Sequence, residues 1–103
     1  MEHGEKDDIN QRNNVTIQVD KILDCSAHHI FIQACRQADH PDIRALVVDL
    51  SATRGIRASG VGILLMLSEL EKTSSYRVRI VNCQPQIRRQ LHSSRLLAGL
   101  QIS

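Results

Sequence analysis

The chain has 103 residues, enough for one domain with a core of its own, and its two aromatic residues, Phe31 and Tyr76, leave that core aliphatic. The formal net charge of +2 is unevenly spread: residues 1–52 carry five Lys/Arg against nine Asp/Glu, and residues 53–103 carry eight against two. With no aromatic platform and no dense basic cluster, the composition argues against a nucleic-acid ligand.

Residues 1–13 are polar and lack apolar periodicity, so they are expected to form a flexible leader ahead of a single domain over 14–103. Val15, Ile17 and Val19 alternate with Thr16, Gln18 and Asp20, the period of a strand with one buried face. Lys21 to Leu23 is expected to add a short second strand after a tight reversal, and this first pair to run antiparallel at the sheet edge. From Cys25 the period changes. Ala27, Ile30, Phe31, Ala34, Cys35 and Ala38 form a helical stripe that Asp24 or Ser26 can cap and that His40-Pro41 ends.

The stretch from Ala45 to Leu70 is the centre of the chain. Ala45 to Leu50 reads as a strand buried on both faces, Ser51 to Arg57 as a polar loop, and Val61 to Leu70 as a helix. After a Thr73–Ser75 loop, Tyr76, Val78 and Ile80 alternate with Arg77 and Arg79 in a further strand to about Asn82. Pro85 opens another helix, with Ile87, Leu91, Leu96 and Leu97 inside and Arg88, Arg89 and Arg95 outside. Gly99 is its expected stop, and Leu100 to Ile102 a last strand. Strands alternating with helices predict an α/β fold with a mostly parallel or mixed sheet of four to five strands and helices packed on it.

Ser59 stands where the central loop meets its helix. A helix start leaves N–H groups unpartnered and carries partial positive charge, so a serine there can cap the helix or, phosphorylated, place about −1.5 to −2 charge at the same spot. The residues alone leave both roles open. Ile63 to Leu67 are consecutive apolar residues, so at least one must point outward, and an exposed Leu or Met beside the serine would suit a protein interface.

Other chemistry is poorly supplied. Cys25, Cys35 and Cys83 contain no C-x-x-C pair, which fits reduced thiols in a cytoplasmic protein, and Cys25 with His29 lacks the second pair that a zinc site needs. No metal or other cofactor is expected. No G-x-S-x-G elbow and neither common phosphate-loop pattern occurs, so the chain is not expected to be an enzyme. The longest apolar segment, Val61 to Leu67, is too short for membrane insertion.

Across residues 13–102 the chain resembles a STAS domain, the module shared by sulfate transporters and anti-sigma factor antagonists. Val15–Val19 is similar to the family's first strand, Ile22-Leu23-Asp24 to its G-E-L-D turn, and Leu46–Leu50 to its central strand. Arg57-Ala58-Ser59-Gly60-Val61-Gly62-Ile63-Leu64-Leu65 resembles D-S-S-G-L-G-x-L-L, whose second serine is the family's phosphoacceptor. The resemblance implies a regulator with its phosphorylation site at Ser59 and partner contacts at Asp24, Arg57, Ala58, Gly60, Ile63 and Met66. A serine kinase with a histidine-kinase-like ATP fold, itself the anti-sigma factor, would add the phosphate, and a PP2C-type phosphatase would remove it. A monomer is expected. Lys21 replaces the family's turn glycine, and Arg57 replaces its usual aspartate, reversing a charge two residues from Ser59. The alternative readings are a constitutive STAS subunit of a bacterial lipid-transport ABC complex, which would need no kinase, and a nucleotide-binding module using the helix start.

Overall fold

Alternation of apolar and polar side chains makes β1 (Asn14–Gln18) and β5 (Arg77–Val81), while the Val/Leu run of β3 (Ala45–Asp49) lies between them. The computed structural model describes residues 13–93 and 99–103. Its main sheet has the order β1-β3-β5-β6, with β6 at Gln101–Ile102, and every pairing is parallel. The register runs Thr16↔Val47↔Arg79↔Gln101 across the four strands. The expectation of an antiparallel edge is therefore corrected. β2 (Ile22–Leu23) does not fold back on β1 but pairs in parallel with β4 (Gly55–Ile56), a strand inside the stretch expected as loop. Two-residue strands are too short to show an apolar period, so sequence reading passes over them.

Helix α1 (His28–Ala38) follows a 3-10 turn at Cys25–Ala27 and buries Phe31, Ala34 and Ala38. Helix α2 (Ala58–Thr73) begins three residues before its expected start and buries Ile63, Leu64 and Leu67. Helix α3 (Pro85–His92) buries Ile87 and Leu91. These side chains join Ile17, Leu46, Val48, Val78 and Ile80 in one cluster, so the helices line one face of the sheet. Thr16, Gln18, Arg77, Arg79 and Gln101, on the alternate face, are exposed. Val47 and Asp49 therefore keep partial exposure, although their strand was expected to be covered on both faces. The expected leader up to residue 12, and the positions of Arg95, Leu96 and Leu97, lie outside the described residues.

A serine between two helical starts

The strands β1, β3 and β5 all point their C-terminal ends toward the same edge of the sheet, and the loops beyond that edge build the candidate site. The connection after β3 is held from three sides. Thr53 is fully buried, and its hydroxyl donates to the Asp20 carbonyl at 2.9 Å. From α3, Gln90 Nε2 donates to the Ile56 carbonyl at 3.0 Å and Gln86 Nε2 to Arg54 at 3.4 Å, while Gln84, just before the helix, reaches the Ser51 carbonyl at 3.2 Å. Across the same edge, Asp49 Oδ1 accepts from the Ser51 amide at 2.9 Å.

The first turn of α2 then packs on the end of β2. The Arg57 amide donates to the Leu23 carbonyl at 3.0 Å. A Cβ on Gly60 would come within 2.3 Å of that carbonyl oxygen, so the approach has room for glycine alone. Ser59, beside this contact, is exposed. Its Oγ accepts a hydrogen bond from the Cys25 amide at 2.9 Å. Cys25 is the first residue of the 3-10 turn, so the Ser59 hydroxyl caps its neighbour's start and not its own helix. That corrects the expected cap on α2, where Arg57 holds the N-cap position with extended backbone and no side-chain bond. Two helical starts thus converge on one hydroxyl.

Asp24, rather than Ser26, caps the 3-10 turn. Its Oδ1 accepts from the Ser26 amide at 3.0 Å and from the Ser26 hydroxyl at 2.6 Å. These two bonds, with the Arg57 charge nearby, hold the Asp24 carboxyl below its ordinary range.

The other expected contact residues divide. Arg57 and Ala58 are exposed beside Ser59. Ser59, Gly62 and Met66 fall at i, i+3 and i+7 on one stripe of α2, exposed, exposed and half-buried in turn. Ile63 is corrected: at 5% exposure it belongs to the core and offers a partner no surface. Gly60 is buried too, and its part is to bring Ser59 close to Cys25. Sequence reasoning missed Thr53 and the three glutamines. Thr53 sat in a polar stretch and the glutamines in or just before a helix read only by its apolar side, so no local pattern marked them. Among the described residues, no three His, Cys, Asp or Glu side chains converge as metal ligands, and no helix is long and apolar enough to cross a membrane. A cleft of about 570 Å³ lies between Arg36, Asp39 and Tyr76 near the far end of α2 from Ser59.

Comparison with known proteins agrees with the architecture. The solved structure of the anti-sigma factor antagonist SpoIIAA in its unphosphorylated form superposes with a TM-score of 0.62 at 20% identity, over 89% of this chain and 80% of that one. No curated protein matches. The family description "STAS domain" matches residues 6–103, nearly the whole length and including part of the expected leader. The chain belongs to the STAS domain family.

Proposed function

We propose that this protein is a phosphorylation-controlled binding switch, similar in action to an anti-sigma factor antagonist, with Ser59 as the acceptor. The observation that carries the reading is the exposed Ser59 hydroxyl at the convergence of two helical starts, where its one hydrogen bond comes from a backbone amide. The proposed partner is a serine kinase that doubles as an anti-sigma factor. It transfers the γ-phosphoryl group of ATP to Oγ, which gives up its proton, and ADP leaves. A PP2C-type phosphatase hydrolyses the ester back to serine and inorganic phosphate. The bare form captures the kinase through the exposed Arg57 and Ala58 and the half-buried Met66, with Asp24 beside them. A dianion at the centre of that contact must be desolvated, and this weakens binding with little backbone change. In this reading the protein is a substrate and not an enzyme, and it works in the cytoplasm.

The test is to incubate the protein with the serine kinase of its own genome and ATP, then locate the phosphate by mass spectrometry. A single phosphate on Ser59, absent from Ser59→Ala, is expected. Ser59→Ala should still bind the kinase and Ser59→Asp should bind it weakly. Phosphate on another residue, or equal binding of the two variants, would end the reading.

A further inference from the structure

We propose that Arg57 is the counter-ion of the phosphate on Ser59, its guanidinium pairing with the new dianion. The proposal rests on the phosphorylation reading and specifies how the modified site is held. On a regular helix, residues two apart point to different sides. Arg57 escapes that rule because it is the N-cap of α2, with extended backbone (φ −87°, ψ 168°), and its side chain makes no capping bond of its own. Its amide is tied to Leu23, so its backbone stands at the Leu23–Cys25 corner. Ser59 Oγ faces that same corner through the Cys25 amide.

In the unmodified chain the anion at the corner is the partly exposed Asp24, near enough to feel the Arg57 charge. Asp24 does not depend on the arginine, since its Oδ1 already holds both donors of Ser26. A phosphate two residues away offers a doubly charged acceptor for a bidentate guanidinium, a stronger attraction than a carboxylate already engaged. The arginine can therefore turn to the phosphate without unfolding the turn. Titratable or charged groups on the segments packed here are Lys21, Asp24, Cys25, His28 and His29 from the β2–α1 side, and Arg54 and Arg57 from the β4–α2 side. Of these, Arg57 is two residues from the acceptor on the same element.

The test uses the full chain with phosphoserine encoded at position 59, so no kinase is required. The second ionisation of the phosphate is followed by phosphorus NMR against pH at low ionic strength, where an exposed pair is least screened. With Arg57 present the midpoint should lie about half a unit to one unit below that of Arg57→Gln, because the cation favours the dianion. Arg57→Lys should retain part of the shift. The proton NMR spectrum of each variant verifies the fold. Equal midpoints for the arginine and glutamine chains would overturn the proposal. If the midpoints match while phosphorylation still abolishes kinase binding, the switch stands without the clamp. If the midpoint is shifted but kinase binding survives phosphorylation, the clamp stands and the switch reading falls.

Discussion

Ser59 spends its hydroxyl on the Cys25 amide, and this makes the bare site slightly more ordered than an isolated surface serine. Ser59→Ala should therefore cost about 0.5–1 kcal/mol, the net worth of one hydrogen bond, measured as a drop in urea midpoint at unchanged slope. Asp24 sets a pH limit on the same corner. Its carboxyl is held below the ordinary 3.8, so its capping contribution is fully present above that value and is lost as pH falls through the lowered one. The Ser26 amide resonance should stay constant from pH 7 to pH 5 and move only at more acid pH. The three thiols should also separate. Cys25 is exposed, whereas burial pushes both Cys35 and Cys83 up and makes their thiolates scarcer. Timed alkylation read by mass spectrometry should label Cys25 first, and simultaneous labelling of all three would contradict the packing. Arg57 stood out only through the family resemblance, whereas the place of Ser59 where loop meets helix could be read from the sequence. The partner of the Ser59 hydroxyl could not, because Cys25 is 34 residues away and only folding brings them together.

Two glycines in the first turns of α2 do opposite things. A methyl group on Gly60 would collide with the Leu23 carbonyl, a backbone atom that has little freedom to yield. A methyl group on Gly62 meets nothing within 4 Å. Gly60→Ala should destabilise the fold by about 2 kcal/mol after the helix-propensity gain is offset against overpacking, and should lower phosphorylation of the displaced Ser59. Gly62→Ala should stabilise by about 0.5–1 kcal/mol and leave the site unchanged. Thermal unfolding of the two variants checks the pair, and similar shifts in one direction would show that α2 does not rest on β2 through Gly60. Elements with a clear period were recoverable from the sequence. The stripe from Ala27 to Ala38 gave α1, and the alternation around Val78 gave β5. The β2–β4 pair was not, since its register depends on the buried Thr53 and on backbone bonds such as Arg54 N–H to the Lys21 carbonyl.

The proposed switch lies where a parallel sheet places functional loops, beyond the C-terminal ends of the strands. The sheet supplies a rigid base, with Leu46, Val48, Val78 and Ile80 all fully buried. The loops carry the exposed groups. Such a layout lets a phosphate alter the surface without disturbing the core, so the phosphorylated and bare chains should melt within a few degrees of each other. The alternating α/β order was visible in the sequence, but its edge was not: nothing local distinguishes a first strand running parallel to β3 from one running against it. The central claim is that phosphate on Ser59 decides whether the partner is bound. Calorimetric titration of the proposed anti-sigma kinase partner, against the bare chain and the chain with phosphoserine encoded at position 59, tests it most directly. At least a roughly hundredfold loss of affinity on phosphorylation, about 2.7 kcal/mol, is predicted. Equal affinity of the two forms would contradict the account.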